Sequence, residues 1–482
     1  MQWSKQDQHR AMDAGGTMRP DRAQHSEPHE RRKWPHLSRR QLFRQGALIA
    51  ATTALSACST PRFGLTGPPK SKRQIQLVYQ DWRTEWFPPM AQEMLSLFHA
   101  QHPHIRVFYT PDPEDFESRV LADMRAGTVA DVFQGCCTEF PAWAQMGYTL
   151  DLRPYIEKDL DPAIIADWDP AQYRALARPD GFQFGLPKYH GALALYYNKD
   201  LFDRYHVPYP REDWDYDDYL EAMRALSHDR DGDGQRDLWG SMMTIAWDRI
   251  QVHVNAWGGH LVDPANPNRC AMDQPQALEA MEWLRARMWD DHVMATPLDV
   301  QNLKPHQAFI AGKVAMIEDG SWSLKEILAD AGFRIGVAPM PAGPVRRVTL
   351  ATTDGFGIYA YTPHPDESWE LLKFLVSKEY GRAMARASFL QPARASLIDD
   401  WVGYIREQSP RQAEDMNLAA FADGQIKGYS VTTEIHARMS EIKGLVDEAW
   451  DRIYTLGQAN VEILRDVCAH TEPDPPMRGF FP

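Results

Sequence analysis

Two α/β domains are the expectation for this chain, and three features support it. About 425 residues run from Cys58 to the end, too many for one hydrophobic core and suited to two domains of ordinary size. Between residues 73 and 133, short apolar runs alternate with helical patterns, the rhythm of a mostly parallel sheet covered by helices on both faces. A further apolar run at 192–197 starts a second sheet.

Residues 1–37 are polar, rich in His, Gln and Arg, and lack hydrophobic periodicity; they read as a leader, with Met18 as an alternative start. Arg39 and Arg40 then precede a short apolar run at 47–55 that closes in Leu55, Ser56, Ala57 and Cys58. That order is a twin-arginine export signal joined to a lipoprotein cleavage site. Small Ser56 and Ala57 admit a peptidase, and the Cys58 sulfur stands where lipid is added. The run is too short to span a bilayer, and the competing reading is an amphipathic helix with a chance cysteine. Residues 58–72, rich in Ser, Thr, Pro, Gly and Lys, form a flexible tether.

The first strand is expected at 75–79. Pro88 and Pro89 open a helix whose Met90, Met94, Leu97 and Phe98 fall at i, i+4, i+7 and i+8. A strand at 105–109, a helix at 116–126 and a third strand at 129–133 follow, the last running into a loop with Cys136 and Cys137. Further along, Asp215 can cap a helix with Asp217 and Asp218 in its first turn and Tyr216, Tyr219, Leu220, Met223 and Leu226 on one face. Strands are expected at 313–318, 333–338 and 355–361, and helices dominate from Asp366 onward.

The whole chain carries a formal charge of −14, and from Cys58 onward 61 acidic groups face 42 basic ones. Such a surface repels phosphate backbones and anionic lipid heads, which removes nucleic acid as a partner. No second apolar stretch reaches membrane-spanning length, so the lipid is the expected membrane attachment. Cys136, Cys137, Cys270 and Cys468 show no spacing typical of a zinc site or a disulfide framework, and four buried or near-site thiols are expected.

Nine short signatures then occur in order. They include Ala130-Asp131-Val132, 146–152, 196–202, 229–234 leading to Trp239-Gly240, and 256–259. Residues 309–316, Gly320-Ser321-Trp322, 336–341 and 368–375 complete the series. The chain thereby resembles the extracellular solute-binding proteins of ABC transporters, in the maltose-binding-like, family 1 group that mainly serves sugars. The resemblance implies a type II, two-lobe periplasmic-binding-protein fold with hinge crossovers near residues 187–189, Gly336 and Thr362. The N-lobe would hold 73–187 and 336–362, the C-lobe 188–335 and 363–470, and 471–482 would form a tail. It further implies a monomer, held outside the cytoplasm by its lipid, that binds a small carbohydrate and delivers it to permease subunits without chemistry or a required cofactor.

A sugar presents hydroxyl rims and apolar C–H faces, so its site needs aromatic rings and fixed polar groups. Residues of those types stand in the loops after the strands: Asp81, Trp82 and Arg83, then Glu139 and Trp143. Tyr189 and His190 lie at the first crossover, Trp247, Trp257 and Trp322 in the second lobe, and Asp354 before a first-lobe strand. Trp82 and Trp322 are the leading candidates for stacking, while Arg83 and Arg394 could face an anionic group. Each also has a plainer reading in core packing, capping or solvation.

Asp229, Asp231, Asp233 and Asp237 occupy positions 1, 3, 5 and 9 of a calcium-type loop, with Gly234 at 6 and the Gln235 carbonyl at 7. Position 12 is Gly240 instead of the bidentate Glu of a full EF-hand, so the expectation is either a structural calcium or a solvated Asp-Gly turn. Other functions share these residues: a secreted carbohydrate-active enzyme, a sensory lipoprotein, or a receptor for a non-sugar solute.

Overall fold

β1 (Ile75–Asp81) enters the first sheet, followed by α1 (Phe87–Gln101), β2 (Ile105–Pro111), α2 (Phe116–Ala126), β3 (Val132–Gly135) and α3 (Glu139–Gln145). This computed structural model describes residues 74–471; the leader, Arg39, Arg40, Cys58, the whole tether and the tail from 472 lie outside the described residues. β1 pairs in parallel with β2 and β3, as the alternation of strands and helices requires. Two strands complete the sheet in the order β2-β1-β3-β10-β4: β4 (Leu186–Pro187), and β10 (Gly355–Ile358), which is antiparallel to both its neighbours. Pro88 and Pro89 sit in the first turn of α1, where a missing N–H costs nothing. Its buried face is Phe87, Met90, Ala91, Met94, Leu95 and Phe98, whereas Leu97, expected inward, is 40% exposed.

The second sheet has the order β6-β7-β5-β8, built from β5 (Leu193–Asn198), β6 (Trp239–Met242), β7 (Val314–Gly320) and β8 (Ile335–Ala338). Along β5, Leu193, Leu195 and Tyr197 enter one apolar core while Ala194 and Tyr196 enter another. Alternate side chains point to opposite faces, so an unbroken apolar run marks a strand covered on both sides. This sheet is mixed: β5 runs antiparallel to β7 and β8, because it arrives from the other lobe and not through a helix of its own sheet. Helix α4 (Tyr216–Ala225) packs beside it, capped as expected. The Asp215 carboxylate accepts the N–H groups of Asp217 and Asp218 at 2.9 and 3.0 Å, and Asp218 accepts the Asp215 N–H in return.

Two expected lobe boundaries shift. Residues 335–338 belong to the second sheet as β8, so the second crossover runs through 339–354, which carries β9 (Thr349–Leu350), and not at Gly336. Beyond β10, α5 (Pro365–Leu375) and α6 (Lys378–Ser388) bury Trp369, Leu372, Phe374 and Tyr380 in the first-lobe core with β1 and α1. The chain therefore leaves the first lobe near Phe389, whose side chain joins the second-lobe core, and not at Thr362. The apolar face of α5 decides this: it needs a partner, and the nearest sheet strand is the one just completed.

Cys270 and Cys468 form a disulfide, with Cα atoms 5.2 Å apart. Four free thiols were the expectation; only Cys136 and Cys137 are free among the described residues. The bond joins residues 198 positions apart, a relation that spacing cannot reveal. It fits an oxidising compartment. No helix among the described residues is long and apolar enough to cross a membrane. Replacing the bond by Cys468→Ser should lower unfolding free energy by roughly 3–5 kcal/mol, the scale for a long closed loop. Urea unfolding of both forms measures it, and equal midpoints would show that the loop constraint is not felt.

Candidate ligand-binding cleft

A cleft of about 760 Å³ opens between the lobes. The first lobe contributes the β3–α3 loop, with Cys137, Thr138 and Glu139. The second contributes the segment after β6, the start of the helix Trp247–Ala256, the end of β7 with Asp319 and Trp322, and Lys443 and Asp447 from the helix Met439–Trp450. Trp322 is half-buried and packs against the cores of both lobes. Its ring lies directly on the chain at Gly320, where an added Cβ would come within 2.3 Å of it, so that close approach needs glycine.

Polar groups surround this ring. The Arg249 guanidinium stands 4.7 Å from the Trp322 ring centre and donates to Asp248 at 2.7 Å. Asp319 accepts the Gly320 N–H at 2.8 Å and the Ser323 hydroxyl at 2.9 Å, with His306 3.6 Å away. Thr138 donates its hydroxyl to Glu139 at 2.7 Å, and Lys443 pairs with Asp447 at 2.8 Å. The cleft thus offers an aromatic face beside oriented donors and acceptors of both signs.

Beneath its first-lobe side lies a buried ionic cluster. Asp81 and Lys188 form an ion pair with both side chains fully buried. The Tyr79 hydroxyl donates to Asp81, as does the Trp82 N–H at 2.7 Å. The Lys188 ammonium sits 3.2 Å from the centre of the Trp82 ring, which meets Phe87 and Tyr189 edge-on. Burial lowers the Lys188 pKa. Burial raises Asp354 to about 6, against the pull of Lys188 and hydrogen bonds from Thr352 and Tyr189. Asp112 is likewise raised to about 6, by burial and by the charge of Asp81, although Gln80 and Gln134 donate to it.

Of the expected contacts, Glu139, Trp247 and Trp322 line the cleft. Trp247 does so mainly from within the core, donating its indole N–H to the Glu434 carbonyl at 2.9 Å. Asp81, Tyr189 and Asp354, with the half-buried Trp82, belong instead to the ionic cluster, which meets the cleft wall where Thr353 donates to the Cys137 carbonyl at 3.2 Å. The remaining candidates lie away from the cleft lining. Arg83 is exposed and pairs with Glu114 at 3.1 Å. His190 is fully buried and hydrogen-bonded to Asp169 at 3.0 Å. Trp257 is core, edge-on to Tyr216, and Trp143 is core of the first lobe. Arg394 donates to Asp167 at 2.8 Å. Sequence reasoning missed Asp248, Arg249, Asp319 and Lys443, because nothing in their neighbours separates them from solvated surface charges.

The 229–237 loop brings carboxylate oxygens of Asp229, Asp231 and Asp237 within 4.8 Å of one another, while Asp233 is not among them. Asp229 accepts the N–H groups of Gly232 and Gly234, and Arg230 occupies Asp237 at 2.8 Å. Three carboxylates on a tight turn fit a hard cation, with Arg230 as a competitor for one of them.

The family model for bacterial extracellular solute-binding proteins matches residues 80–382. A Brucella abortus protein described as a binding protein is 28% identical over 316 residues, 63% of this chain and 71% of that one. The galactooligosaccharide-binding protein of Bacillus subtilis is 22% identical over 431 residues, 88% of this chain and 94% of its own. Among solved structures, an ABC substrate-binding protein of Listeria monocytogenes in complex with cycloalternan superposes with a TM-score of 0.70 at 21% identity, covering 83% of this chain and 97% of that one. The two-lobe fold described above is the fold of that protein.

The raised Asp354 and Asp112 carboxyls set a pH dependence. Each holds a proton in the folded protein at pH values where the unfolded chain has released it. Their contribution to stability is therefore largest below the usual carboxylate range and is lost as pH rises through about 6. Asp354→Asn removes the buried charge at high pH only. It should raise Tm by roughly 2 °C at pH 8 and change it little at pH 5. An equal shift at both pH values would mean that Asp354 does not titrate in this way.

Proposed function

We propose that this chain, which belongs to the bacterial extracellular solute-binding protein family, captures a carbohydrate between its lobes and delivers it to the membrane subunits of an ABC importer. It is a binding protein and not an enzyme, as its family is. The observation that carries the carbohydrate is Trp322: one ring surface at the seam of both lobes, ringed by Arg249, Asp248, Asp319 and Ser323. Arg249 rests over that ring, so a pyranose that stacks its C–H face there displaces the guanidinium toward its own hydroxyls. A cleft of about 760 Å³ accommodates several sugar units. The names of two similar proteins, one binding a galactooligosaccharide and one a cycloalternan, support the same class.

Capture works by population shift. A ligand touching Glu139 on one lobe and Trp322, Asp248 and Asp319 on the other binds the closed arrangement more tightly than the open one. The importer then selects the closed form. In this reading the chain acts as a monomer outside the cytoplasm, tethered through lipid on Cys58 after twin-arginine export. The disulfide between Cys270 and Cys468 accords with that location. A calcium ion on Asp229, Asp231 and Asp237 completes the proposal as a structural element. Calcium should raise Tm in the native sequence and leave Asp229→Asn unmoved; equal response of both would remove the ion from this loop.

A thermal-shift screen of linear and cyclic oligosaccharides identifies the ligand, since a molecule that binds only the native state raises Tm. Tryptophan emission then gives Kd. Trp322→Ala should weaken binding about tenfold, or ~1.4 kcal/mol. Trp82→Ala, whose ring covers Lys188, should lower Tm while leaving Kd within about twofold. Unchanged affinity in Trp322→Ala would refute the stacking site, and released reducing ends would refute binding without turnover.

A further inference from the structure

We propose that Cys136, Cys137 and Glu139 form a binding site for a thiophilic divalent cation, of the zinc type, on the first-lobe wall of the cleft. One ligand atom from each of the three, two sulfurs and a carboxylate oxygen, lies within 4.8 Å of the other two. The two sulfurs are 3.0 Å apart. Donors bound tetrahedrally to one zinc stand on the order of 3.5–4 Å apart, so small side-chain rotations suffice.

Neighbouring side chains on an extended chain point to opposite sides and cannot share an ion. Here Cys137 has φ of +56°, a left-handed conformation uncommon outside glycine, which turns both sulfurs the same way. Two hydrogen bonds hold that turn: the Phe140 N–H donates to the Cys136 carbonyl at 3.1 Å, and the Thr353 hydroxyl donates to the Cys137 carbonyl at 3.2 Å. Such local strain persists only where surrounding contacts impose it.

The surroundings favour a cation. Asp354 and Asp248 act electrostatically on Cys137, and Asp354 and Glu139 on Cys136, where they are opposed by the single cation Lys188. Cys137 and Glu139 line the cleft, so an ion has access, and three protein donors leave a fourth position for water or for an oxygen of whatever occupies the cleft. Paired sulfur donors select zinc, cadmium or cobalt over calcium or magnesium, which separates this site from the 229–237 loop. The proposal does not depend on the ligand being a carbohydrate.

Cobalt(II) is the probe. Added to the protein under conditions that keep Cys136 and Cys137 reduced, it should give a stoichiometric thiolate-to-cobalt charge-transfer band that zinc displaces. The band should vanish in Cys136→Ser/Cys137→Ser and persist in Asp229→Asn/Asp231→Asn. A second measurement needs no variant. Zinc should slow alkylation of Cys136 and Cys137, followed by peptide mass mapping so that other cysteines do not contribute, by about tenfold. Absence of the band together with unprotected labelling would overturn the site. So would a band that survives in the double serine variant, or conversion of the pair to a vicinal disulfide in zinc-containing buffer.

Discussion

The buried pair of Asp81 and Lys188 is the constraint on which the rest of the first lobe depends. It ties the end of β1 to the residue immediately after β4, where the chain leaves for the second lobe. Two charges out of water are tolerated only together. Removing either would strand the other at a cost of about 3–5 kcal/mol. The Trp82 ring over the ammonium and the Tyr79 hydroxyl on the carboxylate close the remaining sides. Burial first, and then the excess of three carboxylates over one cation, raises Asp112 and Asp354, which hold their protons to higher pH. The crossover, the Thr352–Asp354 segment and the loop at Cys137 are thereby fixed against one another through a single polar network.

On that base the two lobes divide the work unequally. The first lobe presents a short stretch, Cys137 to Glu139, to the cleft, whereas most of the lining comes from the second. Trp322 spans the difference, because it is carried by the second lobe and still touches the first-lobe core. A ring placed there senses the relative position of the lobes directly. Arg249 over its face supplies charge without needing a partner on the far lobe, since Asp248 is beside it.

Local chemistry was legible in the sequence, and relations between distant segments were not. Asp215, followed by Asp217 and Asp218, announced a capped helix because capping is settled within four residues. The apolar run of β5 announced a strand buried on both faces for a similar reason. The candidate site was read only in part. Trp322, singled out from the residues next to it, lines the cleft, yet Trp82 and Asp81, in an equally suggestive loop, turned inward to meet Lys188, a residue 107 positions away from Asp81. The third crossover was misplaced because the partner of the α5 face is decided by tertiary packing. Cys270 and Cys468 looked like independent thiols for the same reason.

That last bond has a topological meaning. The segment it closes begins in the second lobe, passes into the first through 339–354, supplies β10 and two helices there, and returns near Phe389. The covalent ring thus laces both halves of the molecule together. A protease that nicks any exposed loop between Cys270 and Cys468 leaves two fragments that still travel as one particle, and only a reductant would let them part.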